Sequence, residues 1–144
     1  MAVNTGTGEP RILQSVQAAD AGVVVVNPRQ CRGQIEGGIA QALGAALYEE
    51  VRVDDAGRVT TDILRQYHIP SFADVPRSEV YFADTSDKLG PLGAKSMSES
   101  PFNPVAPALA NAIRNATGIR FAELPIARDK IYLALKDAGL VPSV

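Results

Sequence analysis

A single long helix, predicted over residues 27–50, constrains this fold more than any other feature of the sequence. Asn27 is a favourable N-cap residue and Pro28 suits the first helical position, so the pair marks the helix start. At about 100° per residue, the segment separates into two unlike faces. The apolar face is Ile35, Ile39, Leu43 and Ala46, and the opposite face is Gln34, Gly37, Gly38, Gln41 and Ala45. The apolar face is therefore expected to form the core.

Glycine is unusually frequent in this helix. It occurs at Gly33, Gly37, Gly38 and Gly44. Each glycine in a helix interior costs about 0.8–1 kcal/mol relative to alanine, so its repeated use requires a reason. One reason is the close approach of a ligand to the backbone, with Gln34 and Gln41 offering amide donors and acceptors. The other reason is tight packing against a neighbouring helix or strand, and the residues alone leave both interpretations open.

The rest of the chain predicts short strands and two further helices. A turn at residues 4–9 predicts a hairpin whose first arm, residues 1–3, is cut to a stub, so the chain is expected to begin inside a domain. The other expected elements are strands over residues 12–18, 22–26 and 79–83, a hairpin over 51–60, a loop over 66–76, a helix that begins at Asn103-Pro104 and ends at Gly118, and a helix over 128–137 that presents Ile131, Tyr132, Leu133 and Leu135. The predicted fold class is α+β, with mixed strands and hairpins packed against about three helices.

Composition places the chain among ordinary single-domain proteins. It has 144 residues, of which 46% are hydrophobic and 21% charged, and this excludes disorder and coiled coil. The net charge of −2, with no basic block, predicts no nucleic-acid partner. The longest apolar run, residues 22–26, is far shorter than the roughly 20 residues that cross a bilayer, so no membrane span is expected. Because the first residues lack a secretory signal, the expected compartment is the cytoplasm.

The chain holds one cysteine and one histidine, Cys31 and His68. Structural zinc sites and iron–sulfur clusters take several Cys or His ligands. No metal ligands are therefore predicted within this chain. Any metal or redox centre that it serves is expected to be held by a cofactor or by another polypeptide.

A loop rich in glycine and serine, residues 90–101, precedes the second predicted helix. Free backbone N–H groups beside a helix N-terminus suit an anion. Within the loop, Glu99 is either a solvated or capping carboxylate or, if partly buried, a general base. The composition of the loop alone favours a solvated or capping carboxylate.

Three motifs in a fixed order then identify a family. They are Gly33-Gln34-Ile35-Glu36-Gly37-Gly38-Ile39-Ala40-Gln41-Ala42-Leu43-Gly44, then Tyr67-His68-Ile69-Pro70 with Asp74-Val75-Pro76, then Gly93-Ala94-Lys95-Ser96-Met97-Ser98-Glu99-Ser100-Pro101 with Ala106-Pro107-Ala108-Leu109-Ala110-Asn111-Ala112-Ile113. In this order they resemble the C-terminal end of the molybdopterin-binding large subunit of the xanthine dehydrogenase/aldehyde oxidase family. The resemblance covers residues 5–135, and it implies that residues 1–144 are the C-terminal fragment of a larger molybdenum-cofactor-binding domain.

The resemblance also implies a function and a set of site residues. Members of the family are molybdenum hydroxylases, which insert a water-derived oxygen at an activated C–H bond of an aldehyde or N-heterocycle. Glu99 matches the family's general base, and Gln34 matches the glutamine that contacts the pterin. The cofactor-binding residues implied are Gln34, Gly37, Gly38, Gln41, Lys95, Ser96 and Ser98. This chain departs from the family at Ser98, where glycine is common, and at His68, where lysine is frequent.

The implied cofactor is molybdenum–molybdopterin, shared with the remainder of the molybdenum subunit. [2Fe–2S] clusters and FAD are expected only on partner subunits or domains, and a small molecule is the expected substrate. The isolated chain is expected to be inactive. Two alternatives stay open, a non-catalytic structural or interaction fragment and a stand-alone domain that binds a small anion.

Overall fold

The computed structural model of the chain describes residues 1–22 and 27–142. Over these residues the chain forms three α-helices and four short strands. The strands are β1 (Ala2–Val3), β2 (Pro10–Arg11), β3 (Ser15–Ala19) and β4 (Ser78–Phe82), and the helices are α1 (Pro28–Leu47), α2 (Val105–Thr117) and α3 (Arg128–Asp137). The predicted α+β class, with about three helices, is confirmed.

The described strands form two separate two-stranded sheets. β1 and β2 pair antiparallel, with Ala2 opposite Arg11, which confirms the short hairpin. β3 and β4 pair parallel, beginning with Ser15 opposite Ser78. The strand expected over residues 12–18 is confirmed only for residues 15–18, which belong to β3, because the chain leaves the first sheet after β2 and joins the second at β3. The strand expected over 22–26 lies outside the described residues except for Gly22.

Helix α1 begins as its sequence predicts and ends slightly earlier. The Asn27 side chain accepts a hydrogen bond from the backbone N–H of Gln30 at 3.0 Å, and Pro28 occupies the first turn. The cap satisfies a donor that the helix itself cannot pair. The helix ends at Leu47 rather than at about Glu50, because Tyr48 leaves helical backbone geometry with φ −129°.

Helix α2 starts later than the Asn-Pro pair predicts. Asn103 is not its cap, because the chain first makes a turn in which Phe102 N–H donates to the Glu99 carbonyl at 2.9 Å. Pro104 occupies the N-cap position and supplies no side-chain cap. The predicted end is confirmed, since Gly118 follows the last residue with a left-handed φ of 79° that favours glycine.

Helix α3 has the predicted bounds, and only part of the predicted face is buried. Ile131 and Leu135 are fully buried, whereas Leu133 is 54% exposed. At about 100° per residue, Leu133 lies roughly opposite Ile131 on the helix and therefore faces away from the core. Gly139, with φ 70°, follows the helix end.

The core is built from one face of each helix. Its buried members are Ala19, Ile35, Ile39, Leu43, Ala46, Leu47, Leu109, Ile113, Ile126, Ile131 and Leu135. All four residues of the predicted apolar face of α1 are among them. Burying a side chain of the size of leucine or isoleucine contributes about 1.5–3 kcal/mol, so these contacts hold the three helices around one core.

Between α1 and β4 the chain is mostly irregular. The predicted short hairpin over residues 51–60 forms around an antiparallel bridge between Val53 and Val59, with Asp54 accepting hydrogen bonds from the backbone N–H groups of Ala56 and Arg58. Residues 66–76 form the predicted loop. None of the helices in residues 1–22 and 27–142 is long and apolar enough to cross a membrane.

Candidate cofactor and catalytic site

The face of α1 opposite the core remains largely open. Gln34, Gly37 and Gln41 are exposed on it, whereas Gly38 is buried. Because the apolar face of the same helix is fixed in the core, the open face has a defined position and orientation. It therefore presents two amide side chains on a rigid element.

The glycines of α1 fall into two groups according to their surroundings. A Cβ atom at Gly38 would lie 2.9 Å from the Cβ of Pro101, and one at Gly44 would overlap the Glu49 carboxylate. A Cβ atom at Gly33 or at Gly37 would meet no described atom within 4 Å. Tight packing within the chain therefore explains why glycine occurs at Gly38 and Gly44. It does not explain the glycines at Gly33 and Gly37.

The glycine- and serine-rich loop lies across α1. The Gln34 side chain donates from Nε2 to the backbone carbonyl of Ser98 at 2.8 Å. The Gln17 side chain on β3 donates to the carbonyl of Pro101 at 3.1 Å. The loop backbone is thus held immediately before Glu99 and again two residues after it. This arrangement brings together Gln34 and Ser98, which the sequence predicts to be site residues.

Glu99 and Gln41 line one cavity of about 680 Å³. Its other lining residues are Ala40, Ala45, Glu49, Ile69, Pro70, Phe102 and Asn103. Glu99 is exposed in this structure rather than partly buried. A glutamate and a glutamine therefore line the same open space, which is bounded by α1, by the loop between α1 and β4, and by the loop and turn before α2.

Lys95 and Ser96 do not join this group. Lys95 Nζ lies 2.6 Å from Asp20 Oδ2, just after the end of β3, and the backbone N–H of Lys95 donates to the carbonyl of Ala21 at 3.0 Å. Ser96 is exposed. The lysine is thus engaged by a carboxylate of its own chain.

Asp20 is a residue that the sequence reasoning missed. Hydrogen bonds from Lys95 and then from Thr85 lower the pKa of its carboxyl to about 2, so it stays ionised at neutral pH. Its backbone neighbour Gly22 also donates to the Asp20 side chain, at 3.2 Å. The available signal was a lone carboxylate at the predicted end of a strand, two residues before a glycine.

In residues 1–22 and 27–142, no three His, Cys, Asp or Glu side chains converge as metal ligands would. His68 lies in the loop after α1, where its ring meets that of Tyr48 edge-on at 5.2 Å between centroids. Cys31 packs against the core, and burial raises the pKa of its thiol.

Comparison with known proteins gives consistent matches. The sequence model for the molybdopterin cofactor-binding domain matches residues 1–76. The aldehyde oxidoreductase molybdenum-binding subunit of Escherichia coli K12 is 39% identical over 137 residues, which are 94% of this chain and 19% of that protein. The probable hypoxanthine oxidase of the same strain is 41% identical, over 94% of this chain and 14% of that protein.

Solved structures share the fold. Carbon monoxide dehydrogenase from Oligotropha carboxidovorans superposes with a TM-score of 0.87 at 25% identity, over 96% of this chain and 17% of that one. The chain spans less than a fifth of the length of each of these proteins. What it resembles is therefore one segment of a much longer polypeptide.

Proposed function

Because this chain belongs to the molybdopterin cofactor-binding domain family, we propose that it forms one wall of the active site of a molybdenum hydroxylase. In this proposal residues 1–144 are the C-terminal portion of the molybdenum subunit. They supply the general base, Glu99, and part of the surface that holds the cofactor. The observation that carries the proposal is the placement of Glu99 and Gln41 on one cavity, beside a loop bonded to Gln34.

The open face of α1 fits the organic part of such a cofactor. A pterin carries both donors and acceptors at its edge, and the amides of Gln34 and Gln41 offer both. Gln34 uses one N–H of its NH₂ group on Ser98, so its carbonyl oxygen Oε1 and its second N–H are the groups that we assign to the cofactor. The space above Gly37, where a Cβ atom would meet no described atom within 4 Å, lets a flat ring approach the backbone.

The remaining predicted ligands take different roles in this proposal. Ser98 contributes its carbonyl to Gln34, which orients the amide. Gly38 admits the loop rather than the cofactor, since its surface is covered by Pro101. When bound, molybdenum–molybdopterin supplies the two-electron redox chemistry that no group of this chain provides.

Glu99 acts by accepting a proton. General-base catalysis requires a carboxylate within hydrogen-bond reach of the proton that it removes, here from the oxygen nucleophile that attacks the substrate carbon. Glu99 lines the cavity, and the Gln34–Ser98 bond holds the backbone immediately before this residue. Exposure of Glu99 in this chain is compatible with that role if the remainder of the subunit closes the cavity and excludes water.

The substrate class in this proposal is an aldehyde or an N-heterocycle. Relatives of nearly equal identity, 39% and 41%, are named for an aldehyde and for hypoxanthine, so similarity over this segment does not separate the two. Electrons leave to [2Fe–2S] and flavin groups on partner subunits or domains. We place the assembly in the cytoplasm.

Assembly with the rest of a molybdenum subunit tests this proposal. The chain is produced alone and together with the remaining part of the subunit, in cells that make the cofactor, and molybdenum is measured in each purified product. We expect stoichiometric molybdenum and turnover of an aldehyde or heterocycle only in the assembled product. Stoichiometric molybdenum in the chain alone would contradict a shared pocket, and an assembled product without molybdenum would favour a purely structural fragment.

A further inference from the structure

The Asp20 carboxylate joins three segments that are distant in sequence. It accepts hydrogen bonds from Lys95 Nζ, from the Thr85 hydroxyl and from the backbone N–H of Gly22. Asp20 follows β3, Thr85 follows β4, and Lys95 lies in the loop that leads to Glu99. The carboxylate thus ties the loop to the carboxyl ends of the two parallel strands.

Backbone contacts reinforce this attachment at the same place. Lys95 N–H donates to the Ala21 carbonyl at 3.0 Å, and Gly22 forms an antiparallel bridge with Ala94. A Cβ atom at residue 22 would lie 3.0 Å from Ala94 Cα. The φ of 84° at Gly22 also favours glycine. The loop backbone therefore packs against the end of β3 closely enough to exclude a side chain at Gly22.

The anchor at Lys95 and the anchors near Glu99 limit where the loop can go. Four residues span at most about 14 Å when fully extended, so fixing Lys95 restricts the path to Glu99. The Gln34–Ser98 and Gln17–Pro101 bonds restrict it from the other side. Release of the Lys95 anchor leaves the first half of the loop without a charged contact.

We propose that Asp20 is a positioning residue for Glu99, acting through Lys95. The anchoring itself stands on the contacts above, and only its catalytic consequence rests on the proposed function. In this assignment the Lys95 ammonium serves Asp20 instead of the cofactor. Substituting either residue is expected to loosen residues 93–98 without unfolding the helical core, because neither side chain belongs to that core.

Hydrogen–deuterium exchange on the full chain tests the anchor without any cofactor. We expect Asp20→Ala and Lys95→Met to raise the exchange rate of the Ala94 and Lys95 amides by about threefold to tenfold, as loss of a surface ion pair with its hydrogen bonds implies. Lys95→Arg, which keeps the charge, should retain most of the protection. The exchange rates of the α2 amides report whether each variant is folded. If Asp20→Ala fails to fold, Lys95→Met, which keeps the apolar stem of the side chain, tests the anchor by itself.

Asp54→Ala is the matched control, because Asp54 also accepts bonds from two backbone N–H groups and an Arg58 side chain, all within one turn. Its loss should leave residues 93–98 unchanged. Equal exchange in the parent chain and in both Asp20→Ala and Lys95→Met would overturn the anchor.

The catalytic consequence is tested in the assembled enzyme by combining substitutions. Asp20→Ala is expected to lower kcat per molybdenum with little change in KM, and to have no further effect in a Glu99→Gln background, because both changes act on the same proton acceptor. Independent, multiplicative losses would overturn positioning of Glu99. If Glu99→Gln alone has no effect, the proposed general base fails while the exchange measurement still decides the anchor.

Discussion

The two faces of α1 serve this chain in different ways. On one face Ile35, Ile39 and Leu43 are at most 3% exposed and pack into the core. On the other face Gln34 and Gly37 stay exposed. The first face stabilises the fold, whereas the second keeps glycine at a position where alanine would make a more stable helix. No described residue lies close enough to Gly37 to require glycine there.

The loop over residues 90–101 sharpens this contrast, because it covers only part of the open face. It closes over Gly38 through Pro101 and reaches Gln34 through Ser98, but it leaves Gly37 uncovered. The open face is therefore divided into a portion that binds this chain's own loop and a portion that remains free. Substitutions on the two faces are expected to change different measured quantities.

The largest effect is expected from Glu99→Gln beside the open face. The amide keeps the size of the side chain and removes the proton acceptor, so the rate per molybdenum in the assembled enzyme should fall by about 10²–10⁴-fold. Molybdenum content and unfolding free energy should stay close to those of the parent. Glu123→Gln, at another exposed loop glutamate, is the control and should leave the rate unchanged.

A rate per molybdenum within a few-fold of the parent would remove Glu99 from the mechanism. Normalising by molybdenum matters because a loop substitution that only weakens cofactor retention lowers the rate per protein and leaves the rate per molybdenum intact. The two quantities therefore separate a proton acceptor from a residue that merely shapes the wall.

On the buried face, Ile35→Ala should change stability. Ile35 is fully buried, so its truncation removes apolar contacts and leaves a cavity, at a cost of about 2–5 kcal/mol in the free energy of unfolding. Urea unfolding of the full chain measures it, with Leu133→Ala at a 54% exposed position as the control. An equal, small effect of both substitutions would show that the α1 core face is not packed as described.

Gln34→Ala tests the contact between the open face and the loop. It removes a hydrogen bond worth about 0.5–1.5 kcal/mol and should lower molybdenum retention in the assembled enzyme. Gln34→Glu, which keeps the size of the side chain, should lower molybdenum retention further, because a carboxylate oxygen would face the Ser98 carbonyl across the present 2.8 Å. Full molybdenum occupancy in both variants would indicate that this face binds only protein.

How much of this arrangement the sequence predicts depends on the range of the contacts. The start of α1 and the α3 bounds depend on local capping and periodicity, and both were predicted. The parallel pairing of β3 with β4 and the Asp20–Lys95 pair, 75 residues apart, depend on tertiary approach and were not. Helical periodicity likewise places Gly37 and Gly38 on one face, although only Gly38 meets Pro101.

Gly37→Ala is expected to have the smallest effect on the chain and to be the most informative about the open face. A Cβ atom there meets no described atom within 4 Å, so the change should stabilise the chain by up to about 0.8–1 kcal/mol through helix propensity alone. If the cofactor lies against this backbone, the same methyl group should lower molybdenum retention in the assembled enzyme. Gly33→Ala, also unobstructed and one helical turn before Gly37 on the same side of α1, should give a similar stabilisation, and its molybdenum retention measures how far along the helix the ligand extends. Stabilisation with full molybdenum occupancy at both positions would mean that no ligand approaches Gly37, because a methyl group cannot fit between a helix backbone and a ring already in contact with it.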